Sequence, residues 1–250
     1  MLFKKIFNFT EKEVEAEAKD RREDTRYPLG EGFPLKVNVT LAGHDDTGAM
    51  LPGSWRDWGA HAVNLSRKGC NLRVSDAASG KRSEPCRVMF SLGKHSMNVV
   101  AHIAHFRVHD GFAALGAAYE FEDFASQKAY LQLLAPVITG VSLAKVPASE
   151  VTQQHPNLQL EQYSGEEDTL LSIWRKASSP GEFEGFEFRM SGYHVRAHFL
   201  AKAVDVYSPD GTKPTPTEAA EITQLYKWVI PNLSKAVPAD VKTFLSKFAK

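Results

Sequence analysis

The chain has 250 residues, of which 43% are hydrophobic and 24% charged, and its 30 basic and 30 acidic side chains cancel. That composition excludes wholesale disorder. A formal net charge of zero excludes a whole-molecule field that would draw the chain onto nucleic acid or anionic lipid, so any anion site must be local.

The stretch from Met1 to Phe9 is basic and apolar but too interrupted for a signal peptide, and no apolar run approaches the ~20 residues of a membrane span. Packing on the protein itself is the preferred reading of this stretch, and contact with a membrane surface the weaker one. Thr10 and Glu13 have capping-box spacing, which predicts a helix to about Arg22 with Glu15 and Lys19 as an i,i+4 pair. Its few apolar residues make residues 1–24 a weakly held polar arm.

From Leu35 to Leu41 apolar and polar residues alternate with period two, as in a half-buried strand. Residues 43–57 are rich in Gly, Asp and Pro and read as a loop. Further strands are expected near 58–65, 69–76, 85–92, 96–108 and 112–121, with turns at Gly93-Lys94-His95 and His109-Asp110-Gly111. Trp58 reads as core. A helix is expected over 124–138, capped by Asp123, with Tyr130, Leu131 and Leu134 on its inner face. Residues 25–140 thus form one β-rich domain, and 141–168 read as a linker.

Residues 169–250 read as a small α+β domain. Leu170, Leu171 and Trp174 suit a short helix. Phe186 to Met190 and Tyr193 to Phe199 alternate on either side of Ser191-Gly192, a hairpin signature. Thr215 and Glu218 form a second capping box with Pro216 at the first helical position. Ile222, Leu225, Tyr226 and Val229 then share a helical face, and Val241, Phe244, Leu245 and Phe248 mark a last helix.

Neither Cys70 nor Cys86 has a Cys or His two residues away; they read as buried thiols of a cytoplasmic protein. His102 and His105 should point to opposite faces of a regular strand, which argues against a metal pair. His194 and His198 flank Arg196 on what reads as a solvated sheet face. There is no G-x-S-x-G elbow and no P-loop, so the chain is not expected to be an enzyme. No basic stripe with interleaved aromatics supports nucleic-acid binding, and no cofactor is implied.

Two short strings carry the functional reading. Arg22 and Arg26 form an R-x-x-x-R string beside Arg21, and Asn64, Ser66 and Gly69 form N-x-S-x-x-G at a turn. A guanidinium is a fixed fork of donors that can bond a phosphate or the O6/N7 edge of guanine. Asn64 and Ser66 share a strand face and offer polar groups to a base, while Gly69 permits close approach of a ligand to backbone.

These strings precede and interrupt the β segments in an order that resembles the PilZ domain family, the bacterial receptors for cyclic di-GMP. The strand from Leu115 to Phe121, followed by a helix, extends the resemblance to about residues 20–140. It implies a mainly β fold, a six-stranded antiparallel PilZ-like barrel with flanking helices, joined here to the small C-terminal α+β domain. It implies that cyclic di-GMP lies between the arginine arm and the barrel turn. Arg22 and Arg26 would grip guanine and phosphate, Arg21 could substitute in register, and Asn64, Ser66 and Gly69 would line the opposite wall. The chain departs from the family in the longer segment between Arg26 and Asn64, which leaves open a ligand contact by Trp55 or Trp58. Ligand-induced ordering of the arm would signal to a protein partner or to residues 169–250. The alternative is a degenerate PilZ-type protein–protein adaptor that binds no nucleotide.

Overall fold

The computed structural model of the chain describes Phe3, Thr10 and residues 25–153 and 155–249. The arm helix expected over 10–22, and with it Arg21 and Arg22, lies outside the described residues. Of residues 1–9 only Phe3 is described, and its buried ring meets Trp228 edge-on at 5.5 Å. The described residues fall into two compact units, 33–134 with the preceding segment 25–29, and 135–249 with Phe3 and residues 30–32.

The first unit is a closed antiparallel barrel. Its strands are β1 (Tyr27–Pro28), β2 (Leu35–His44), β3 (Met50–Leu65), β4 (Gly69–Val74), β5 (Pro85–Leu92), β6 (His95–His109) and β7 (Phe112–Glu120). The neighbours run β3-β2-β5-β6-β7-β4, and β4 returns to β3, so six strands close the cylinder while β1 adds a short flap on β3. Closure removes the sheet edges. The alternation expected for β2 is met: Val37, Val39 and Leu41 are buried and face Phe90, Val88 and Cys86 across the β2–β5 ladder.

Both expected turns form. Gly93 and Gly111 have φ of 59° and 79°, the left-handed conformation that two-residue hairpin loops require. Residues 43–57, expected to be a loop, are mostly strand. The turn shrinks to 45–49, where one carboxylate oxygen of Asp45 accepts the N–H groups of Thr47 and Ala49 at 2.9 Å each. β3 then continues with Trp55 opposite Ala42 and Trp58 opposite Val39. The ladder outweighs the Gly and Pro content because Met50 and residues 55–60 pair with β2, which supplies their backbone hydrogen bonds. Trp58 is half-buried and Trp55 exposed.

Helix α1 (Phe124–Val141) starts where Asp123 accepts the N–H of Ser126 at 2.7 Å. Tyr130, Leu131 and Leu134 are buried as expected, and Tyr130 packs on Phe90 and Tyr119 with ring centroids 5.6 and 4.8 Å away.

The second unit is a six-stranded antiparallel sheet with two helices. Its strands are β8 (Ala144–Lys145), β9 (Leu158–Ser164), β10 (Leu170–Lys176), β11 (Ser179–Met190), β12 (Tyr193–His198) and β13 (Asp205–Tyr207), in the spatial order β13-β12-β11-β10-β9-β8. Two expectations change here. Residues 141–168 are not a linker, since β9 pairs with β10 along its whole length. Leu170 to Trp174 is strand rather than helix; a short apolar run fits either, and its pairing with Gly185 to Arg189 decides. The hairpin between β11 and β12 turns on Ser191 and Gly192, both at positive φ.

Helix α2 (Pro216–Val229) has the capping box with both reciprocal bonds between Thr215 and Glu218. With α3 (Ala239–Ser246) it supplies aromatic rings to the sheet: Tyr226 stacks on Phe186 at 5.7 Å and Phe244 on Phe183 at 4.3 Å. No helix among the described residues is long and apolar enough to cross a membrane.

Candidate functional site

The turn between β3 and β4 is fixed from two sides. Ser66 donates its backbone N–H (2.9 Å) and its hydroxyl (3.1 Å) to the carbonyl of Gly69. From α1, the Tyr130 hydroxyl donates to the carbonyl of Ser66 at 2.8 Å. The third neighbour is β1. Tyr27 is buried and opposes Leu65, and Pro28 opposes Asn64. The residue before Tyr27, Arg26, is thereby brought up to the turn.

A single rung of the barrel crosses this corner. Pro28, Asn64, Asn71, Gly116 and His105 are successive partners on β1, β3, β4, β7 and β6. Buried residues alternate with exposed or half-buried ones on β4, and Asn71 stands between buried Cys70 and Leu72, so it faces outward. A bulge at Ala104 shifts the register of β6 between Ile103 and His105. Because of it, His102 opposes Ala118 and His105 opposes Gly116. The two histidines therefore share the outer face, contrary to the expectation from simple alternation; one inserted residue reverses the side on which every later side chain emerges. His102 bonds Glu120 at 3.1 Å. The ring of His105 occupies the space that a Cβ on Gly116 would take.

Arg26, Asn64, Ser66 and Gly69 line one cleft of about 210 Å³, together with Lys68, Cys70, His105 and Gly116. Four of the six residues nominated by the sequence strings thus meet across a gap of 38 or more positions. Arg26 is exposed, Asn64 and Gly69 are half-buried, and Ser66 is buried with its hydroxyl engaged at the turn. Neither Trp55 nor Trp58 is among the lining residues.

The cleft is lined, among the described residues, by the cations Arg26 and Lys68 and by no acid. Among the described residues neither the Arg26 nor the Arg107 side chain makes a hydrogen bond or an ion pair. Burial of the ring, then the charges of Arg107 and Arg26, hold the His105 imidazole below its ordinary pKa, so it is neutral at pH 7. Burial pushes the Cys70 thiol up to about 12, which leaves it a neutral wall and not a nucleophile. The Asn71 side-chain oxygen, on the same rung, is buried without a hydrogen-bond partner among the described residues, which is a costly condition.

Sequence reading missed His105, Gly116, Asn71 and Arg107. The signal for one of them was present: an isolated glycine inside a strand marks close approach of another group, and Gly116 is such a residue.

Two other arrangements invite functional readings. Ser79 Oγ lies 3.1 Å from His44 Nδ1, and His44 Nε2 lies 2.9 Å from Glu84. Glu84 also accepts the N–H of Lys81 at 2.7 Å, so this chain of bonds pins the loop after β4 to the end of β2. No residue of the three lines the cleft. A second cleft, of about 160 Å³, has Arg87, Glu120 and Glu122 in its wall and thus carries both signs of charge. Among the described residues no three His, Cys, Asp or Glu side chains are placed to hold a metal ion.

No protein-family model and no curated protein matches the chain. Among solved structures, the K. pneumonia MrkH–c-di-GMP complex overlaps it at 13% sequence identity and a TM-score of 0.36, over 48% of this chain and 53% of that one. The chain therefore spans about half the length of that protein, and an overlap this loose bears on neither fold nor ligand.

Proposed function

We propose that the barrel unit is a receptor for cyclic di-GMP, which it binds at the cleft beside the β3–β4 turn and does not transform. The observation that supports this reading is the meeting of Arg26 with Asn64, Ser66 and Gly69 at one cleft, in a molecule whose net charge is zero. The side chain of Arg26, which has no ion pair among the described residues, suits a phosphate, and the amide of Asn64 suits a guanine edge.

The cleft is smaller than the about 300–1,000 Å³ typical of pockets that enclose a drug-sized ligand. It would take one guanine-and-phosphate half of the dinucleotide, leaving the other half for Arg21 and Arg22, which stand four or five positions before Arg26 in the chain. Occupancy would then be reported to a protein partner or to the second unit. A guanidinium–phosphate contact contributes about 2 kcal/mol, so Arg26→Ala should weaken binding roughly 30-fold. Calorimetric titration of the wild type, Arg22→Ala, Arg26→Ala and Asn64→Ala with cyclic di-GMP tests this. Absence of heat from the wild type, or undiminished affinity in all three variants, would refute it.

The second reading is the nucleotide-free adaptor. Met50, Leu51 and Trp55, all exposed on the β2–β3 hairpin, favour it as apolar surface available to a protein. A wild type that gives no heat with the nucleotide would move the assignment to this reading.

A further inference from the structure

The cleft holds a titratable group that neither sequence string includes. We propose that His105 is a ligand-contacting residue of this cleft, and that it couples occupancy by a phosphate-bearing guanine nucleotide to proton concentration. The inference rests on the reading of the cleft as a nucleotide site and adds to it a contact and a regulation.

The geometry comes from the rung. The bulge at Ala104 brings His105 to the outer face, and Gly116 leaves a gap that the imidazole fills. Asn64 and the orphaned oxygen of Asn71 stand on the same rung beyond Gly116, and Arg26 lies at the end of the cleft nearest the turn. A planar ring held against backbone is a surface on which a purine stacks, and an adjacent guanidinium adds to that stacking.

The charges around the ring set the direction of the pH effect. Arg26 precedes β1, Lys68 lies in the β3–β4 turn, and Arg107 follows two positions along β6. On the neighbouring rungs, Arg73 of β4 lies across Ala114 from Arg107, and His102 is bonded to Glu120. Cys70 is held as a thiol. Empty, the ring is kept neutral by burial and by Arg107 and Arg26. A phosphate bound beside the ring offsets part of that positive charge and favours the imidazolium, so the pKa in the complex lies above that in the free protein. Binding then takes up a proton wherever the pH lies between the two values, and affinity rises as pH falls through that window.

The test is titration of the full chain with cyclic di-GMP at pH 6, 7 and 8, in buffers of different ionisation enthalpy, for the wild type and His105→Gln. The wild type should bind several-fold more tightly at pH 6 than at pH 8, with net proton uptake; a shift of one pKa unit is a tenfold change in affinity at the limit. His105→Gln should bind more weakly at pH 6 and lose both the slope and the proton uptake. Imidazole resonances of the wild type, recorded against pH with and without the nucleotide, give the same answer if the variant folds poorly: the His105 pKa should rise on binding. Wild-type binding with an unchanged His105 resonance, or a variant with the wild-type affinity and slope, would overturn this inference while leaving the receptor reading intact. No wild-type binding at any pH would remove both.

Discussion

The two units use the same side chains to opposite ends. In the second unit Arg175 is buried and fully engaged: Nε donates to Glu161 at 3.1 Å, one terminal nitrogen donates to Asp240 at 2.8 Å and the other to the Pro180 carbonyl at 3.1 Å, while the guanidinium lies 4.3 Å from the centre of the Phe183 ring. In the barrel, Arg26 lines a cleft and Arg107 acts on His105 beside it, and neither side chain has a hydrogen bond or ion pair among the described residues. The histidines divide likewise. His194 and His198 are bonded to Glu187 at 3.0 Å and to Glu184 at 2.6 Å, as befits a solvated sheet face, whereas His105 faces two arginines. A satisfied cation ties elements together; cations gathered without acids store repulsion that an anion relieves.

The largest effect that would sharpen this contrast is Arg175→Met. Removing the guanidinium leaves Glu161 with only the Tyr163 hydroxyl and the distant Lys145 and breaks the ion pair of β10 with Asp240 of α3, and should cost about 3 kcal/mol of unfolding free energy in urea. Nucleotide affinity should not change. The wild type also carries an acid signature. Burial is the largest single influence on Asp240 and opposes its charged form, but the hydrogen bond and charge of Arg175 together with the N–H of Val241 outweigh it, and its carboxyl lies below the usual range. A carboxyl depressed in the folded state stabilises above its unfolded pKa, and that contribution is lost as pH falls through the folded value. The wild type should lose this contribution on acidification, and Arg175→Met, which keeps only the part due to the Val241 N–H, should show a shallower acid dependence. Equal acid dependence in the two proteins would break the comparison.

A smaller effect is expected at the turn. Tyr130→Phe removes the donor to the Ser66 carbonyl and should cost about 1 kcal/mol of barrel stability, read from the urea midpoint. If the cleft depends on a fixed turn, affinity for cyclic di-GMP should fall with it; unchanged affinity would show that Ser66 and Gly69 need no support from α1. The smallest effect belongs to His194→Gln. Its bond to Glu187 is partly solvated and Arg196 also bonds that carboxylate, so stability should move by no more than about 0.5 kcal/mol in a thermal melt. A larger loss would mean that the paired histidines of this face are more than surface chemistry.

What was legible in the sequence was local. The Ser191-Gly192 hairpin, the Thr215 capping box and the Asp123 cap are each decided within a few residues, because turn chemistry and caps are satisfied by near neighbours. What was illegible was long-range pairing. Residues 43–57 and 158–164 look like loop and linker by composition, yet each lies on a ladder with a partner strand that supplies its hydrogen bonds. Leu170 to Trp174 fits two periods equally, and β9 and β11 on either side choose the strand.

The site divides in the same way. The resemblance of two short strings to a family signature nominated Arg26, Asn64, Ser66 and Gly69, and forked donors, a small amide and a glycine turn are chemical properties that the one-dimensional chain displays. His105 entered only through the fold: a bulge is a mismatch between two strands, it exists only once β6 lies against β7, and from it follow the face that His105 occupies and the arginines it meets.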